Sequence, residues 1–100
     1  MKIVCLLCDI FFVPEIQKEL SNHEVEFIQS YTDQKFDMLI LDMDHAESYY
    51  LCQKYPEKSI CFGSHGNTEE MKRFKDTGCK NVIPKSAFLG KLKEVNNLKN

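Results

Sequence analysis

The sequence predicts a single α/β domain built on a parallel sheet. Three observations carry that expectation. Apolar runs alternate with segments of helical period along most of the chain. Several of those runs are nearly continuous in apolar character, as strands covered on both faces are. And 100 residues leave room for one domain only.

The apolar runs are "KIVCLLC" (2–8), "EVEFIQS" (24–30), "FDMLILD" (36–42), "KSICFG" (58–63) and "KNVIPK" (80–85). The first, third and fourth suit central strands. The second alternates Val25 and Phe27 with Glu24 and Glu26, which suits an edge strand. Helical segments separate most of them. "PEIQKELSN" opens on Pro14, a good first helical residue, with Ile16 and Leu20 on one face. "DHAESYYLCQKYP" is expected to start at an Asp44 N-cap, with Glu47 completing a capping box and Ala46, Tyr49, Tyr50 and Tyr55 turned inward. "NTEEMKRFKDTG" pairs Asn67 with Glu70, buries Met71 and Phe74, and ends at Gly78. "SAFLGKLKEVNNLKN" starts at Ser86 and buries Phe88, Leu92 and Val95, with Gly90 a weak point.

One link departs from the pattern. About seven residues around "YTDQKF" join the second and third runs, where a helical crossover needs roughly a dozen. Either an extended segment crosses the sheet with Tyr31 or Phe36 packed on its face, or the two runs form an antiparallel hairpin around "TDQK".

The bulk numbers exclude several classes. The 43% apolar fraction fills one core, and 28% charged residues make an ordinary soluble surface. A net charge of −2 gives no basic footprint for nucleic acid. No apolar run approaches the ~18–20 residues of a membrane span. The start "MKIVCLLCDIFFVPE" has an internal Asp9 and no small-residue cleavage site, so it reads as a buried strand and the location as cytoplasmic. Five scattered cysteines argue against a disulfide framework. Cys5 and Cys8 would point to opposite faces of a strand, and all five are expected to serve as small buried hydrophobes.

Ligands of open parallel sheets bind at the carboxyl ends of the strands. Those ends carry Cys8 and Asp9, Asp42, Ser64 and His65, and Lys85. Carboxylates, a hydroxyl, an imidazole and an ammonium would therefore gather at one edge.

This pattern resembles the receiver domain of two-component response regulators. "DMLILD" is similar to that family's third strand, "SICFGS" to its fourth, "GCKNVIPKSAF" to its fifth-strand signature and "KIVCLLCD" to its first. The resemblance spans nearly the whole chain. It implies a three-layer, flavodoxin-like fold with five parallel strands in the order 2-1-3-4-5, here with the helix between strands 2 and 3 missing or much shortened. It implies Asp42 as phosphoacceptor, Lys85 pairing with the phosphoryl group and Ser64 as the hydroxyl. Mg²⁺ is the cofactor it implies, held by Asp9, Asp42 and the backbone carbonyl of Asp44.

The chain departs from the family at named positions. Leu7 and Cys8 stand where the family carries an acidic pair, and magnesium wants hard oxygen ligands. His65 follows Ser64 where a small residue is usual and would gate the pocket. Val82 stands three before the lysine in place of an aromatic, and Ser86 follows it in place of proline. The expectation is an atypical, stand-alone pseudo-receiver acting through protein–protein contacts and not efficiently phosphorylated. It would have no enzymatic activity beyond self-phosphorylation and dephosphorylation at Asp42. Its partners would be a histidine kinase or downstream effector, or a second copy. The face implied is the family's fourth and fifth helices with the fifth strand, which carries Lys72, Lys75, Lys80, Lys91 and Lys93.

Two alternatives stay open: a phosphorylatable receiver in a phosphorelay, and a metal-binding protein using Asp9, Asp42, Asp44, His45 and His65. "LILDMDHA" also resembles the first motif of haloacid-dehalogenase-type phosphatases, but the only acid beyond Lys85 is Glu94. "GSHGNTEE" lacks a phosphate-loop pattern and reads as a flexible turn.

Overall fold

The computed structural model describes residues 1–64 and 66–97. Among the described residues, five strands and four helices are interleaved along the chain: β1 (Lys2–Leu6), α1 (Val13–Glu19), β2 (Glu24–Phe27), β3 (Met38–Asp42), α2 (Ser48–Lys54), β4 (Ser59–Gly63), α3 (Thr68–Lys75), β5 (Val82–Pro84) and α4 (Lys85–Asn97). The strands form one sheet in the order β2-β1-β3-β4-β5, and every pairing is parallel.

The strands follow from their residues. In β1, β3 and β4 almost every side chain is buried, because helices cover both faces of the central sheet. β2 is an edge, and it alternates exposed Glu24 and Glu26 with half-buried Val25 and Phe27. One face packs Ile3, Cys5, Ile40, Ile60 and Phe62 against α1 and α4. The other packs Val4, Leu39, Leu41 and Cys61 against α2 and α3.

The parallel pairing of β1 with both β2 and β3 rules out the hairpin. Residues 28–37 instead cross as an extended segment without a helix. Its anchors are polar at one end and aromatic along its length. The Asp37 carboxylate accepts the Lys2 N–H at 2.7 Å, and the Asp37 N–H donates to the Lys2 carbonyl at 2.8 Å. Phe36 lies edge-on to Tyr55 at 4.9 Å and to Tyr31 at 6.3 Å. Ring packing replaces the apolar face that a helix would have supplied.

The start of α2 is corrected. The helix begins at Ser48, and its N-cap position, Glu47, makes no side-chain cap. The Asp44–Glu47 capping box is absent because both partners are engaged elsewhere. The Glu47 carboxylate accepts the Tyr31 N–H of the crossover, both oxygens at 3.2 Å. The Asp44 N–H donates to Asp42. The buried face is Ser48, Leu51 and Cys52; Tyr49 is half-buried, and Ala46 and Tyr50 are exposed.

The other helices bury the expected residues, except that Met71 of α3 is only half-buried. Asn67 accepts the Glu70 N–H at 3.3 Å, Phe74 is buried, and α4 buries Phe88, Leu92 and Val95. Gly78 turns the chain out of α3 at φ +99°, while a Cβ on Gly90 would meet open space. Opposite outcomes are expected in urea unfolding. Gly78→Ala should lose about 1–2 kcal/mol, because an L side chain is strained there. Gly90→Ala should gain about 0.5–1 kcal/mol by stiffening the unfolded chain.

Candidate functional site

β3 ends on Asp42, in register with Phe62 of β4, and this places a carboxylate at the carboxyl edge of the sheet's centre. Asp42 is 3% exposed. Both carboxylate oxygens accept backbone N–H groups. Oδ2 takes the Cys8 N–H at 3.1 Å, from the loop after β1. Oδ1 takes the Asp44 N–H at 2.9 Å. The Asp42 carbonyl accepts the His45 N–H at 2.9 Å and the Ser48 hydroxyl at 2.5 Å. Asp42 thus ties the β1–α1 loop to β3 and organises the turn into α2. A buried carboxylate is tolerated because these donors replace water.

Above it lies a hollow of about 240 Å³ lined by Asp9, Phe11, Phe12, Asp42, Phe62 and Lys85. Three residues singled out in the sequence therefore meet here: Asp9, Asp42 and Lys85. Asp9 Oδ1 accepts the Phe11 N–H at 2.8 Å, so this side chain braces its own loop. Among the described residues, the ion pairs are Lys2–Glu24, Lys2–Glu26, Lys72–Asp76, Arg73–Glu70 and Lys91–Glu94, and Lys85 is in none of them. Its charge is felt at Cys8 all the same. That thiol is held above its ordinary pKa by partial desolvation and by the charges of Asp42, Asp44 and Asp9, and Lys85 opposes them. Ser64 is exposed just past β4 and is not among the described lining residues; its carbonyl accepts the Asn67 N–H at 3.2 Å. His65, the expected gate, lies outside the described residues.

The donor set does not fit the magnesium that receivers hold. At the strand-one positions of the acidic pair stand Leu7 and Cys8, an apolar side chain and a soft thiol. The two carboxylates present, Asp9 and Asp42, already accept backbone N–H groups.

Of the histidine–aspartate set, His45 is held by hydrogen bonds of its own, and His65 lies outside the described residues. His45 Nε2 bonds the Gln29 carbonyl at 2.8 Å and Nδ1 accepts the Glu47 N–H at 3.1 Å, so the ring joins the crossover to the α2 turn. His23 is half-buried, with Nδ1 3.2 Å from the N-terminal amine.

The cysteines divide unexpectedly. Cys8 is exposed, contrary to the expectation of burial, because the chain leaves the sheet at Leu6. Cys52, Cys61 and Cys79 are buried, and their sulfurs all lie within 4.8 Å of one another. Sequence spacing gave no hint of this trio, whose members come from α2, β4 and the turn before β5.

Among the described residues no helix is long and apolar enough to cross a membrane. No family model matches the chain, and no curated protein matches it. Among solved structures it is similar to a response regulator receiver domain from Rhodospirillum rubrum. The TM-score is 0.69 at 14% identity, over 99% of this chain and 93% of that one. Together with the parallel order β2-β1-β3-β4-β5, this likeness shows that the chain has the flavodoxin-like receiver fold.

Proposed function

We propose that this chain is a receiver-like signalling domain that works through protein–protein contacts and is not efficiently phosphorylated. The observation that carries this reading is the state of Asp42. It stands where the receiver resemblance implies a phosphoacceptor, and its two oxygens close a loop and a turn. Phosphoryl transfer to a carboxylate leans on positioning and charge neutralisation, commonly through a metal. Here the strand-one acids that would supply that metal site are replaced by Leu7 and Cys8.

The loop after β1 supports contact with another protein. Ile10 and Phe11 are 82% and 72% exposed, two adjacent large apolar side chains in the loop after β1. The partner would be a histidine kinase or an effector, or a second copy docking on the α3–β5–α4 face. On that face Lys75, Lys80 and Lys93 are exposed and take part in none of the ion pairs above.

Incubation with acetyl phosphate and millimolar Mg²⁺, read by intact mass, tests the proposal. The expected result is no added phosphoryl group, with the amide resonances of Cys8 and Asp44 unmoved by Mg²⁺. A stoichiometric phosphoryl adduct that disappears in Asp42→Asn would overturn it and establish the phosphorylatable receiver instead.

A further inference from the structure

We infer that Cys52, Cys61 and Cys79 form a buried three-sulfur site for a single soft metal ion of the Cu(I) class. The three thiols come together from separate elements. Cys52 lies on the inner face of α2, Cys61 in the middle of β4 and Cys79 in the turn after Gly78. Their relative exposures are 0%, 0% and 4%. Cys52 and Cys61 sulfurs are 3.4 Å apart, and all three lie within 4.8 Å of one another. A three-coordinate ion with metal–sulfur bonds of about 2.3 Å holds its sulfurs about 4 Å apart. The trio can therefore close on an ion by side-chain adjustments of about 1 Å or less, without moving the sheet.

The surroundings select the ion. Soft thiolates favour Cu(I), and a structural Zn²⁺ site would require a fourth ligand. The nearest other donors are oxygens. Thr77 Oγ1 is 3.2 Å from the Cys52 sulfur and the Ser59 carbonyl is 3.2 Å from the Cys79 sulfur. Thr77 also donates to the Phe74 carbonyl at 2.6 Å, so it steadies the site as a neighbour of its sulfur ligand.

Entry has a place in the fold. A hollow of about 260 Å³, lined by Pro56, Glu57, Gly78, Lys80 and Asn81, opens beside the backbone on both sides of Cys79. These residues precede β4 and β5, so the entry lies at the end of the sheet opposite Asp42. On binding, each sulfur that becomes a thiolate ligand releases its proton to water. The copper stays Cu(I), and no electron is transferred.

The test uses the reduced chain of 100 residues, with Cu(I) supplied anaerobically as its acetonitrile complex. Native mass spectrometry should show one copper per chain, and copper-edge absorption spectroscopy on the wild type should count three sulfurs. The Cys8→Ser variant, which removes the exposed thiol, should keep the ion; Cys61→Ser should lose it. Absence of a stoichiometric ion overturns the inference. So does a wild-type sulfur count below three, or loss of copper in Cys8→Ser. If Cys61→Ser does not fold, the wild-type sulfur count and the Cys8→Ser result decide alone.

Discussion

Phe62→Ala is expected to cost about 3–5 kcal/mol of folding stability. Phe62 is 1% exposed in the middle of β4. Its ring stacks on Phe88 of α4, centroids 4.3 Å apart at 26°. Phe12, at the head of α1, meets it edge-on at 5.4 Å and 87°. The same ring forms part of the wall of the Asp42 hollow. Truncation removes the transfer energy of a large aromatic side chain and leaves a cavity among three elements that cannot all close on it. Domains of this size are stable by roughly 5–15 kcal/mol, so the variant should sit close to the unfolding threshold. Urea unfolding checks it. Phe62→Leu should recover much of the loss, because it keeps most of the buried volume. A loss below about 1 kcal/mol for the alanine variant would mean that the aromatic trio is not the packing centre of this face.

The second large effect is alkaline. Cys5 is buried in β1 between Phe27 of β2 and Ile40 of β3, and burial pushes its thiol from 9.0 up to about 12. The unfolded chain gives up this proton near pH 9, while the native state keeps it until about pH 12. Between those limits the native state binds more protons, so stability falls as pH rises. The contribution is fully present below pH 9 and amounts to about 4 kcal/mol lost by pH 12. Cys5→Val has no proton to lose and keeps the apolar fit. Stability curves of the two proteins from pH 8 to 12 should therefore diverge, with the wild type falling faster. Every other ionisable group is common to both proteins and cancels in the difference. Parallel curves would show that Cys5 is solvated or ionises without opening the strand.

Much of the fold was legible because it rests on local pattern. Continuous apolar runs marked β1, β3 and β4, and alternation in "EVEF" marked the edge strand. Asn67 and Gly78 bounded α3 through capping chemistry that depends on a few neighbouring residues. The candidate site was half legible. Strand ends can be read from a sequence, and Asp9, Asp42 and Lys85, at or just past such ends, line one hollow. The capping box at Asp44 and Glu47 failed for a reason no local pattern contains. The helix-free crossover brings the Tyr31 N–H to Glu47, and the buried Asp42 takes the Asp44 N–H. A capping motif predicts a cap only where no distant group competes for its atoms.

By itself the sequence determined the α/β class, the five strands, their faces of burial and the acid at the end of the third. Those depend on residue character and spacing of two to four positions, which the chain carries in order. Only the tertiary structure decided what the polar atoms do. It closed the Asp42 carboxylate on two backbone N–H groups, left Cys8 in solvent, and gathered Cys52, Cys61 and Cys79 into one buried cluster. Hydrogen bonds and sulfur contacts act over about 3–4 Å. Which groups come that close depends on how distant segments cross, and spacing along the chain does not carry that information.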